Sequence, residues 1–168
     1  MGSEMCIRDR NDSSSCNHER PTSMIFTSNS IGDTQSLAKK LAEEIKQGSV
    51  VTLTGNLGTG KTTFTQGFAR AIGISERVGS PTVILVSEYK GRSYWLYHID
   101  AYRLKGAIDF LNIGGEEYLR PEKGVTLIEW ADIIGDIFDE NIISLKFSRI
   151  KGNTNSREIE IKGIELHV

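Results

Sequence analysis

Cysteine, a basic excess and long apolar runs are all missing from most of this chain. The two cysteines, Cys6 and Cys16, both lie in the first segment. The rest therefore has no disulfide scaffold, which suits a reducing cytoplasm. No stretch approaches the ~18 consecutive apolar residues of a membrane-spanning helix. The formal net charge is −2, which argues against a broad polyanion-binding face. No internal repeat and no interdomain linker interrupts the pattern. The 168 residues, 25% charged and 38% hydrophobic, suit a single soluble globular domain.

Residues 1–23 stand apart. They are rich in Ser, Asn, Asp and Arg, have few apolar residues and show no periodicity, so they read as disordered. Without a hydrophobic core region they are not a secretory signal. Cys6, Cys16 and His18 fit no zinc spacing. Met24 opens a coherent folded pattern. The expectation is an extraneous N-terminal extension over 1–23 and one P-loop ATPase domain over 24–168.

What is present is concentrated in residues 55–62. Gly55, Asn56, Leu57, Gly58, Thr59, Gly60, Lys61 and Thr62 follow the phosphate-binding pattern G-x-x-x-x-G-K-[ST]. The glycines let backbone N–H groups converge on one anion. Lys61 would bring positive charge to the β- and γ-phosphates, and Thr62 would offer its hydroxyl to Mg²⁺. A helix starting there adds its positive dipole end. The context agrees. Val50, Val51, Thr52, Leu53 and Thr54 read as a buried strand. Phe64, Phe68, Ala71 and Ile72 recur at helical spacing, and Gly73 reads as a helix terminator.

Elsewhere the pattern predicts an edge strand over 24–27 and an amphipathic helix over 30–47 ended by Gly48. A strand over 83–89 should return through the loop 90–93 as a strand over 94–100. Short helical segments are expected over 107–111 and 116–119, and a buried strand over 124–130. A short helix over 132–138 and two final strands, 142–147 and 157–167, joined by the turn 152–155, complete the reading. Together these imply an α/β fold, a P-loop three-layer sandwich with a mixed, mostly parallel sheet.

A P-loop needs a carboxylate near its metal. Asp100 and Glu129 each follow an apolar run, at strand ends where α/β sheets gather ligands. One would bind the metal while the other holds or activates water, and spacing does not divide those roles. Thr82, after Ser80 and Pro81, is placed where a switch segment would sense the γ-phosphate. His98 is expected to pack or hydrogen-bond within the sheet. The absence of a guanine-reading Asn-Lys-x-Asp favours ATP over GTP.

Taken in order, these motifs resemble the TsaE (YjeE) family of small bacterial ATPases. They are residues 53–63, then Ser80-Pro81-Thr82, then His98, Asp100, Tyr102 and Arg103, then residues 115–119, then Glu129, Trp130 and Asp132. The resemblance runs from about Phe26 to near the C-terminus. It implies a cytoplasmic ATPase that acts with the TsaD and TsaB proteins in forming N6-threonylcarbamoyladenosine at position 37 of tRNA. It would touch tRNA indirectly and hydrolyse ATP slowly alone. The resemblance also assigns residues. Thr62 and Glu129 fall on Mg²⁺, while Lys61, Asp100 and Glu129 carry catalysis. Asn56, Leu57, Gly58, Thr59, Gly60, Lys61, Thr62 and Thr63 cradle the nucleotide, with Asp132 nearby. Thr34 and Arg157 flank the adenine, Thr82 lies in the switch-like segment, and Trp130 lies beside the site. Where the family usually has an acid and an alanine, this chain has Asn56 and Thr59. Asn56 removes a charge but leaves the backbone cradle intact.

Two other classes share the loop. A stand-alone small-molecule or nucleoside kinase would need an arginine-rich lid, and no such segment is visible. A nucleotide-dependent interaction module would have the same cradle with negligible turnover.

Overall fold

The strand that leads into the glycine-rich loop is buried on both faces, as its β-branched run requires. A computed structural model describes residues 23–79, 85–135 and 137–167. In chain order it contains β1 (Ser23–Ser28), α1 (Ile31–Glu44), β2 (Val50–Thr54), α2 (Lys61–Ala71), β3 (Val86–Lys90), β4 (Trp95–Asp100), α3 (Ala107–Asn112), β5 (Gly124–Glu129), β6 (Ile143–Ile150) and β7 (Asn153–Lys162). Single 3₁₀ turns fall at Ala101–Arg103, Gly115–Leu119 and Ala131–Ile133.

The seven strands form one sheet in the order β1-β7-β6-β2-β5-β4-β3. The central block β6-β2-β5-β4 is parallel, and the flanking pairs β1-β7, β7-β6 and β4-β3 are antiparallel. The sheet is mixed, as expected, but parallel pairing accounts for half of it rather than most. The antiparallel half comes from two hairpins and the returning β1, which need no crossover helix.

Alternation along the strands sorts the core into two layers. Val51, Leu53, Val125, Leu127 and Leu145 face α1 and α2, where Leu37, Leu41, Phe64 and Phe68 meet them. Val50, Ile99 and Ile128 face the other way, against Phe110 of α3 and the 3₁₀ turns. The α2 ring of Phe64 meets Phe147 of β6 edge-on, with centroids 5.9 Å apart.

Several boundaries differ from the sequence expectation. Ser23, counted there with the extension, pairs with Lys162 as the first residue of β1. Helix α1 is capped by Ser30, whose Oγ accepts from the Asp33 N–H at 3.0 Å, but it stops at Glu44 rather than Gln47. The chain is then committed elsewhere, because the Gly48 N–H donates to the Gly124 carbonyl at 2.8 Å. The helix expected over 132–138 is only the turn Ala131–Ile133, bracketed by left-handed residues at Trp130 and Gly135. The β6–β7 hairpin turns through Lys151 and Gly152 alone, with Gly152 at φ +84°, so Asn153–Asn155 belong to β7. The strand expected over 83–89 is described as Val86–Lys90. Residues 1–22, with Cys6, Cys16 and His18, and residues 80–84, with Thr82, lie outside the described residues.

Candidate functional site

Three strands end at one point. The parallel register of β4 and β5 sets Asp100 opposite Glu129, and that of β2 and β5 sets Leu53 opposite Glu129. The loop after β2 curls over this edge and hands the chain to α2 at Gly60, which sits at φ +107°. The turn is built around Gly55 at φ +134°, where a Cβ would meet the Phe147 carbonyl at 2.3 Å. The first turn of α2 leaves its N–H groups without intrahelical acceptors, as at any helix start, and this turn lines the cavity described next.

A cavity of about 440 Å³ opens there. Leu57, Gly58, Thr59, Gly60, Lys61, Thr62 and Thr63 line its floor, Asp100, Glu129 and Trp130 one wall, and Thr34 and Arg157 the opposite side. These are twelve of the residues singled out in the sequence. Asn56 and Asp132 do not line it. Asn56 acts through its carbonyl, which accepts from the Thr59 N–H at 3.3 Å, the Thr59 hydroxyl at 2.8 Å and Lys61 Nζ at 3.0 Å. The Asn56 side chain makes none of these bonds, so the missing acid does not disturb the loop.

Lys61 is nearly buried, at 4% exposure. Its Nζ donates to the Gly55 carbonyl at 2.6 Å and lies 3.8 Å from the centroid of the Trp130 ring. Burial lowers its pKa below the ordinary lysine value, while the carboxylates of Glu129, Asp100 and Asp132 pull the other way.

Glu129 is the centre of the polar network. Its Oε2 accepts from the Thr62 hydroxyl at 2.9 Å. Its Oε1 lies 3.2 Å from the Thr65 hydroxyl and 2.9 Å from His98 Nε2. Asp100 Oδ1 accepts the Tyr102 N–H at 3.0 Å and so caps the turn after β4. Trp130 is the one non-glycine residue with positive φ among those described, at +58°. Such a backbone costs about 1–3 kcal/mol. It is held by the Trp130 N–H donating to the Leu53 carbonyl at 2.9 Å and by the Tyr102 ring 5.0 Å away.

Opposite, the Thr34 and Ser28 hydroxyls are 2.7 Å apart. Arg157 Nη1 donates to the Thr154 carbonyl at 2.6 Å. Sequence reasoning did not single out Thr65, Ser28 or Arg149, whose Nη2 donates to the Leu57 carbonyl at 3.1 Å. Thr65 had a signal: three residues after Thr62, it shares the same helix face.

The donor set suits a hard cation. The Thr62–Glu129 oxygen separation of 2.9 Å matches adjacent corners of an octahedron with metal–oxygen bonds of about 2.0–2.1 Å. No group of three or more His, Cys, Asp or Glu side chains that could hold a metal ion occurs among the described residues, so a cation here would rest on Thr62, Glu129 and water. The glycine floor leaves room for phosphate, since a Cβ at Gly60 would meet nothing within 4 Å.

Residues 28–159 match the model of the family described as threonylcarbamoyl adenosine biosynthesis protein TsaE. The chain belongs to the TsaE family. Its Bacillus subtilis relative, a tRNA threonylcarbamoyladenosine biosynthesis protein TsaE, is 37% identical over 79% of this chain and 80% of its own length. A relative of the same name from Treponema pallidum is 37% identical over 82% of this chain and 99% of its own. The crystal structure of Bacillus subtilis YdiB superposes with a TM-score of 0.71 at 32% identity, over 86% of this chain and 88% of that one. The TsaE resemblance of the motifs thus extends to the whole fold.

Proposed function

We propose that this TsaE-family chain is the Mg²⁺-dependent ATPase of tRNA N6-threonylcarbamoyladenosine formation, acting in the cytoplasm with TsaD and TsaB. The supporting observation is one cavity, in a chain of this family, that joins the Gly55–Thr62 loop to Glu129 and Asp100. No helix among the described residues is long and apolar enough to cross a membrane.

Thr62 and Glu129 would hold Mg²⁺, which when bound neutralises phosphate charge and fixes the β- and γ-phosphates. The loop N–H groups bind the phosphates. Lys61, freed from the Gly55 and Asn56 carbonyls, turns its ammonium to the γ-phosphate. Asp100 orients the attacking water and takes its proton as the water oxygen bonds to the γ-phosphorus and the bond to the bridging oxygen breaks. Thr34 and Arg157 flank the adenine, and Trp130 closes the wall beside Lys61.

ATP hydrolysis measured with and without purified TsaD–TsaB tests this reading. The expected result is slow turnover alone and stimulation by the pair, abolished in Glu129→Ala. Transfer of labelled γ-phosphate to a small acceptor, with no effect of TsaD–TsaB, would overturn it.

A further inference from the structure

The Glu129 carboxylate is 2% exposed and has to present one particular oxygen to the Thr62 side of the site. Its Oε2 is held by the Thr62 hydroxyl at 2.9 Å. Its Oε1 has two neighbours, and they are not equivalent. The Thr65 hydroxyl carries one proton and is equally close, at 3.2 Å, to the Lys61 carbonyl and to Oε1. Threonines inside helices characteristically give that proton to the carbonyl four residues back. His98 Nε2 is closer to Oε1, at 2.9 Å. The His98 ring is fully buried, and Nδ1 has no hydrogen-bond partner among the described residues. The Glu129 carboxylate oxygen is an acceptor, so the ring nitrogen that faces it at 2.9 Å, Nε2, is the one that carries the proton and donates to Glu129.

We propose that His98 is a positioning residue for Glu129: its Nε2–H holds Oε1 so that Oε2 faces Thr62 and the metal position. This rests on the reading of Thr62 and Glu129 as the Mg²⁺ site. The geometry that supports it comes from the sheet. Parallel pairing sets His98 opposite Leu127 on β5, and the period of two puts His98, Asp100, Leu127 and Glu129 on the same face. The imidazole therefore reaches the carboxylate two residues along the neighbouring strand, at the next position on the same face. Without the donor, Oε1 keeps only the Thr65 hydroxyl, which is shared with the Lys61 carbonyl, and the carboxylate is fixed chiefly through Oε2 and Thr62. Partners of this kind change metal affinity by about 10–100-fold when removed.

The test measures Mn²⁺ binding to the nucleotide-loaded full chain by electron paramagnetic resonance, alongside nucleotide affinity in chelator. His98→Leu should weaken Mn²⁺ by about tenfold or more and leave the metal-free nucleotide affinity within about twofold. His98→Gln, which returns an N–H at a similar reach, should recover most of the loss. Glu129→Gln serves as the reference. If it loses Mn²⁺ while His98→Leu does not, the role of His98 is refuted and the metal site stands. If Glu129→Gln also keeps Mn²⁺, the metal reading fails and His98 with it. An equal loss in His98→Gln and His98→Leu would likewise overturn the donor role. Should His98→Leu not fold, nitrogen-15 spectra of the unaltered protein decide. They should show His98 protonated at Nε2 and bare at Nδ1, and the opposite tautomer refutes the proposal.

Discussion

The Thr62 hydroxyl and the Glu129 carboxylate meet at 2.9 Å across the mouth of the site, 67 residues apart in the chain. Thr62 is placed by the first turn of α2, and Glu129 by the last residue of β5.

Thr62→Val keeps the volume and removes the hydroxyl. It should leave metal-free nucleotide binding nearly unchanged and reduce the extra affinity conferred by Mg²⁺ by about tenfold or more, the scale of a lost charge-assisted bond of 1.5–3 kcal/mol. Thr62→Ser should retain most of it. Titration of a fluorescent ATP analogue with and without Mg²⁺ checks both.

Gly67 sits in the middle of α2, where helix propensity alone would favour alanine by about 1 kcal/mol. The packing argues the opposite. A Cβ there would lie 2.8 Å from the Gln35 Cα and 3.1 Å from the Ala38 Cβ of α1. Gly67→Ala should therefore lower stability by about 1–3 kcal/mol, the range for overpacked contacts. The midpoint of urea unfolding measures it, and a stabilised variant would mean that α1 yields.

Tyr94 gives a pH dependence with a definite sign. Its hydroxyl donates to the Ala42 carbonyl at 3.0 Å, and burial pushes the phenol from 10.0 up to about 12. The folded state thus favours the neutral phenol. That contribution is complete below about pH 10 and is lost as pH rises through about 12. Tyr94→Phe should cost about 1 kcal/mol at pH 8. The gap between the two proteins should shrink at pH 11, where only the unaltered chain has this tyrosine to ionise on unfolding. Burial also raises Tyr97 and Tyr118, but both are present in the two proteins and cancel in the difference. Urea unfolding at both pH values provides the comparison.

Much of this protein is legible in its sequence. The loop from Gly55 to Thr62, the buried strands that end in Asp100 and Glu129, and the amphipathic faces of α1 and α2 all follow from local chemistry. They rest on spacing and on the conformational freedom of glycine. The errors fall where distant backbone overrides local preference. Gly124 takes the Gly48 N–H and shortens α1. The Trp130 N–H bond to Leu53 sets a left-handed backbone that reduces the next helix to one turn.

By itself the sequence determined which residue types line the cavity: a lysine and threonine after a glycine turn, and two acids at strand ends. It also determined the family, because the order of those motifs is written along the chain. Only the tertiary structure decided which partners each group meets. Strand register sets Asp100 beside Glu129, the pleat aims His98 at that carboxylate, and the sheet edge gathers Thr34 and Arg157 across the cavity. The physical reason is that such contacts depend on pairing between strands far apart in the chain, which no local pattern encodes.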